Sequence, residues 1–187
     1  MAISPTQAAA ALDEIEATEQ RTRAAGGYAI ASPYLILWGV LWTIGYAGCA
    51  FAPPARWGLV WLPLVLIGAG GSAWLGGRAP KGRRGEGGAL ARSMAMAAAI
   101  GAFIGAVYYV FRPAGTLPYL VFPALIVGLV YTLAGTVARL PRFAWIGVAI
   151  FVLTMAGYVA LPDWMALWTA AVAGGGLVLG GLWLRRV

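Results

Sequence analysis

Six apolar runs without a single charged side chain take up most of this chain: residues 29–51, 58–76, 93–111, 117–138, 143–161 and 164–184. Each is close to the ~20 residues that carry an α-helix across the hydrocarbon of a bilayer. No water pairs with the backbone there, and a helix satisfies its N–H and C=O groups within one segment. The runs therefore predict an all-α integral membrane protein. Its expected layout is a six-transmembrane-helix bundle over residues 28–187, with a short N-terminal cytoplasmic helix in residues 1–27. At 61% hydrophobic and 10% charged residues, the composition lies outside the range of soluble domains.

The connections between runs are short, and the basic residues in them segregate. Threading six spans puts Arg21, Arg23, Arg78, Lys81, Arg83, Arg84, Arg92, Arg139, Arg142, Arg185 and Arg186 on one side and only Arg56 and Arg112 on the other. The positive-inside rule assigns the richer side to the cytoplasm, so both termini are expected there. Scattered in this way the net charge of +7 forms no single basic face, which argues against nucleic acid as a partner. The longest connection, residues 77–92, is a cytoplasmic basic loop bearing Arg78, Lys81, Arg83, Arg84 and Arg92. Each basic group near an anionic surface contributes about 1 kcal/mol of attraction, so membrane lipids are expected partners.

Within the first run, Tyr34, Trp38, Trp42 and Tyr46 follow one another at four-residue steps. On a helix such steps drift by about 40° each and draw a slowly winding stripe. Trp38 and Trp42 fall near mid-span rather than at the interfaces where membrane aromatics gather. Indole N–H groups at that depth need partners, so the stripe is expected to pack on other helices or to line a cavity. Leu37 and Leu41, each rotated by about 100° from a tryptophan, are expected to fall off it.

Residues 1–27 hold most of the acids. Ser4-Pro5-Thr6-Gln7 carries the signature of a helix start, and Asp13, Glu14, Glu16 and Glu19 precede Arg21 and Arg23. Gly26-Gly27 is expected to loosen the chain before the first span. The segment reads either as a helix lying near the membrane surface or as a docking site for a partner protein. Acids stand where a secretory signal would carry a basic region, so no such signal is expected.

Small residues recur at four-residue spacing in three runs, as Gly68, Ser72 and Gly76, as Gly101 and Gly105, and as Gly176 and Gly180. Such faces let helix backbones approach closely, within one chain or between copies in a homo-oligomer. Pro63 and Pro123 lie inside the second and fourth runs and are expected to kink them. Pro33-Tyr34-Leu35 and Pro118-Tyr119-Leu120 open spans three apart, which would make a genuine repeat an inverted one.

The chain has no histidine, one cysteine (Cys49), and only Asp13 and Asp163 as aspartates. Histidine-ligated haem, HExxH zinc chemistry and Ser–His catalysis all lack their carriers. With no ionisable group inside any run, coupling through buried carboxylates lacks them too. No catalytic residue, cofactor or metal site is expected, and the chain does not read as an enzyme. Asp163 shares the less basic side with Arg56 and Arg112, as loop charges in solvent.

Ser32-Pro33-Tyr34-Leu35-Ile36-Leu37-Trp38-Gly39, with Gly174-Gly175-Gly176 and Leu182-Trp183-Leu184-Arg185-Arg186, resembles uncharacterised small multi-pass inner-membrane proteins of bacteria. The resemblance implies the bacterial inner membrane and carries no activity across. Two functions fit what the residues allow. One is a non-catalytic membrane protein that binds a partner protein, lipid or itself. The alternative is a transporter or facilitator for an uncharged or aromatic small solute, its path lined by the first-helix aromatics.

Overall fold

The computed structural model describes residues 5–78 and 89–186, with side chains at 11–15, 17–78 and 95–186. Every regular element among them is helical. Helix α1 spans Pro5–Phe51, α2 Trp57–Arg78, α3 Ala89–Phe111, α4 Leu117–Val137 and α5 Pro141–Ala160. The last run is one continuous rod in three parts: α6 (Met165–Thr169), a π-helical segment (Ala170–Gly175) and α7 (Gly176–Leu184). Short 3-10 turns, Pro54–Arg56 and Pro162–Trp164, lead into α2 and α6.

Five of these rods are long and apolar enough to cross a membrane. The sequence predicts six. The difference is α3, whose apolar stretch with described side chains, Ala95–Phe111, is shorter than the others. Pro33, Pro63 and Pro123 all sit inside continuous helices.

Helix α1 is 47 residues long, about 70 Å at 1.5 Å per residue, or more than twice the thickness of bilayer hydrocarbon. It runs unbroken through Gly26-Gly27, where the sequence leads one to expect a loosening. Ala24, Ala25 and Tyr28 flank the glycines, and a glycine costs a helix interior only about 1 kcal/mol. The N-terminal part of α1 is exposed at residues 11–15 and 17–23, and burial begins at Ala24. It is thus the projecting end of the first long helix. The proposed cap residue Ser4 lies outside the described residues.

The core is built by α1, α4, α5 and the α6–α7 rod, joined through small residues. A Cβ on Gly147 of α5 would strike the backbone of Gly128 and Thr132, and one on Gly135 of α4 would strike that of Ala144. Helices α4 and α5 therefore touch backbone to backbone. Gly39 of α1 meets Val178 and the Gly174 carbonyl in the same manner, while Gly180 receives Ile146. The α6–α7 rod is the most buried of the five candidate spans. By contrast α2 rests on α1 along Leu64 and Gly68 and is otherwise largely exposed. Side chains of α3 meet the start of α4: the Tyr108 and Tyr119 rings lie 4.5 Å apart, and Tyr108 donates to the Pro118 carbonyl at 3.3 Å. Among the described residues, the third element of one half is thus peripheral and that of the other central.

Candidate functional site

The four aromatics of α1 lie along the seam with α2. The Tyr34 hydroxyl lies over Gly76, the Trp38 ring over Gly68, and the Leu37 side chain over Gly71 between them. Trp38 Nε1 donates to Ser72 Oγ at 3.1 Å, which supplies the partner that a mid-span indole needs. Further along, Trp42, Tyr46 and Trp61 of α2 form an edge-to-face triangle, with centroids 5.5 Å (Trp42–Tyr46), 6.2 Å (Trp42–Trp61) and 5.1 Å (Tyr46–Trp61) apart. Each such pair adds about 0.5–1.5 kcal/mol beyond the area it buries. Tyr46 is 2% exposed and packs with Cys49, Leu120, Val121 and Met165, so the triangle also ties α1 to α4 and α6.

These contacts bear on two expectations about the first span. The stripe meets the small-residue face of α2, Gly68, Ser72 and Gly76, so two features noted separately in the sequence are the two sides of one seam. Leu37 and Leu41, however, are not free of packing. Leu37 packs on Gly71, and Leu41 is 6% exposed. Helix α1 is central, with α2 on one side and the α6–α7 rod on the other. Its exposed mid-span positions are Val40 and Ile44.

A second cluster closes the basic end of the bundle. Buried Ser32 donates to the Gly181 carbonyl at 2.7 Å and accepts from Arg185 Nε at 3.1 Å. The Arg142 backbone N–H donates to the Tyr28 hydroxyl at 3.2 Å, and its guanidinium donates to the Trp183 carbonyl at 3.4 Å while lying 5.1 Å from the Trp183 ring centroid. Helices α1, α5 and α7 are latched together there. At the opposite end Trp57 Nε1 donates to the carbonyls of Cys49 and Ala52, fixing the turn from α1 into α2.

Deeper in the core lies a group that nothing in the sequence marks. Thr154 Oγ1 of α5 is buried with no hydrogen-bond partner among the described residues. Ile150 lies near Gly176, and Gly157 meets Trp168, so the antiparallel register places Thr154 level with the π segment. Thr43 of α1 reaches the same segment, donating to the Gly39 carbonyl at 2.9 Å and lying 3.4 Å from the Ala170 carbonyl. A π turn changes which carbonyls the helix pairs, and such turns recur at functional sites. Its sequence here, Ala170-Ala171-Val172-Ala173-Gly174-Gly175, reads only as small and apolar.

Of the basic loop, Arg78 stacks on Trp74 with its guanidinium 3.8 Å from the ring centroid. Lys81, Arg83 and Arg84 lie outside the described residues, as does the side chain of Arg92. Asp163 is exposed, as are Arg56 and Arg112, and Arg112 faces the Tyr109 ring at 5.8 Å. Fold and contacts define an all-helical bundle with rods apolar enough to cross a membrane. No family model, curated protein or solved structure matches the chain.

Proposed function

We propose that this chain is a small polytopic protein of the bacterial inner membrane, with six spans and both termini in the cytoplasm. It acts by binding a partner protein, lipid or a second copy of itself, and not by catalysis. The observation that carries the binding reading is the projecting part of α1. Residues 11–15 and 17–23 stand outside the bundle with Leu12 and Ile15 exposed, on a helix continuous with the most connected rod of the core. An isolated helix of that length is marginal in water, so a partner surface would stabilise it. The topology is supported by the ends of the bundle. Arg78, Arg139, Arg142, Arg185 and Arg186 flank one end, and Arg56 and Arg112 the other.

Reporter fusions after Gly27, Gly87 and Val187 are expected to read cytoplasm, and a periplasmic signal from the last would remove the even number of spans. For binding, the full chain purified in mild detergent should retain a partner that Leu12→Ser with Ile15→Ser loses. Identical retention by both forms would take the projecting helix out of the function.

The solute-facilitator reading is favoured by one observation, the unpaired Thr154 hydroxyl level with the π segment. It moves the path away from the aromatic stripe, whose rings are engaged with α2. On a Cys49→Ala background, labelling of Thr154→Cys by a water-soluble thiol reagent would support it, and a protected thiol would argue against it.

A further inference from the structure

At the turn between α4 and α5 lies an open surface notch of about 330 Å³, lined by Gly135, Thr136, Arg139, Pro141, Ala144 and Trp145. Its geometry begins with the way α4 ends. The Leu140 N–H reaches back to the Gly135 carbonyl at 2.7 Å and the Arg139 N–H to the Thr136 carbonyl at 3.2 Å, which is the Schellman arrangement. That arrangement requires a left-handed residue at position 139, and Arg139 has φ +56°. Glycine is the residue that adopts this conformation without strain, and this chain has 27 of them, yet an arginine stands here.

The side chain so placed is unengaged. At the same end of the bundle Arg78 stacks on Trp74, Arg142 on Trp183, and Arg185 binds Ser32. The Arg139 side chain makes no hydrogen bond, ion pair or ring contact with the described residues; only its backbone N–H is engaged, on the Thr136 carbonyl. Trp145, one turn into α5, is 66% exposed beside it. The Thr136 hydroxyl donates to the Thr132 carbonyl at 2.8 Å, which leaves Arg139 and Trp145 as the lining residues whose side-chain donors have no partner among the described residues. An arginine fork matches the paired oxygens of a phosphate, and a tryptophan at a membrane interface sits at headgroup depth. The projecting part of α1 carries acids, whereas the lining of this notch holds none.

We propose that the notch binds the phosphodiester of an anionic phospholipid from the cytoplasmic leaflet, held by Arg139 and Trp145. This deepens the lipid arm of the function proposed above and rests on that reading. The cost of placing a non-glycine residue at position 139 is then the cost of aiming a guanidinium at the headgroup. A purely structural arginine, placed to complement the negative end of the α4 dipole, is the competing account.

The two are separated by adding phosphatidylglycerol to the full-length protein in mild detergent and following retained lipid by native mass spectrometry, with thermal stability measured in parallel. Arg139→Gly is expected to keep or raise thermal stability, because it relieves the left-handed backbone, while phosphatidylglycerol retention falls about ten-fold. Arg139→Gln should lose lipid equally, and Arg186→Gln, at the same end of the bundle, should not. Phosphatidylcholine should be retained poorly by every form. Unchanged retention in Arg139→Gly, or equal losses in Arg139→Gln and Arg186→Gln, would overturn the site. Displacement of the lipid by excess inorganic phosphate would overturn the lipid as its source. Failure of the membrane reading itself would show separately, as release of the chain from membranes by alkaline carbonate.

Discussion

In α2, Gly68, Ser72 and Gly76 lie beneath rings from α1; in α3, Gly101 and Gly105 have no neighbouring atom within 4 Å of where a side chain would begin. Both faces carry small residues at four-residue spacing, and nothing in their own sequences tells them apart. The difference lies in what stands opposite. Helix α1 presents Tyr34, Trp38 and Trp42 at the same four-residue step, so its ridge of rings follows the same pitch as the α2 groove. The ring contacts of α3 run to the first residues of α4, through Phe103 and Tyr108. A small-residue face states how closely a helix can be approached. The partner is specified by a matching ridge elsewhere in the chain.

The largest test of the contrast removes the ridge. Trp42→Ala takes away two edge-to-face contacts and leaves a hole between α1 and α2. Such truncations cost about 3–5 kcal/mol in soluble cores, an upper guide where lipid chains can enter. The matched controls are Val40→Ala and Ile44→Ala, exposed on the same helix, each expected to fall within about 1 kcal/mol. Thermal unfolding in detergent reads the difference. Equal melting temperatures for Trp42→Ala and Val40→Ala would mean that the seam contributes nothing to holding α2.

A smaller effect comes from filling the groove. A Cβ at Gly68 would come within 2.6 Å of the Trp38 ring, which is held by its bond to Ser72. Gly68→Ala is therefore expected to cost about 1–3 kcal/mol by overpacking, despite alanine's better helix propensity. Adding Trp38→Phe should recover part of the loss, because the smaller ring vacates the space that the new methyl needs. If the double variant is less stable than Gly68→Ala alone, ring and glycine are not in contact.

The parts of this seam that could be read from the sequence were those written in residue size. Four large aromatics at a fixed step announce a ridge, and three small residues at the same step announce a groove. That both flanks of α1 are buried was hidden, because an all-apolar helix has no polar face to show which way it points. Leu41 is buried and Val40 exposed, yet by composition the two are interchangeable. The π segment and the unpaired Thr154 were hidden for another reason, since both depend on the register of backbone hydrogen bonds. The left-handed Arg139 was hidden in turn, because a Schellman end is normally announced by glycine. Continuity through Gly26-Gly27 ran against local propensity and was carried by the helix on either side.

The smallest expected effect sharpens the comparison furthest. Gly101→Leu places a large side chain where the corresponding change in α2 would drive into a ring. Nothing stands within reach of the new Cβ at position 101, and leucine is the stronger helix former by several tenths of a kcal/mol. In a chain where the α3 face meets only lipid, the melting temperature should hold or rise slightly, with any change inside about 0.5 kcal/mol. Gly105→Leu should behave alike, and the pair together should add without coupling to Gly68→Ala, since the seam with α2 shares no contact with either position. The particle size in detergent should stay the same. A loss at Gly101 as large as that at Gly68, with a change in particle size, would mean that a second copy covers this face. A loss without a size change would mean that another helix of the same chain does. In either case the contrast between the two small-residue faces would be one of partner, not of occupancy.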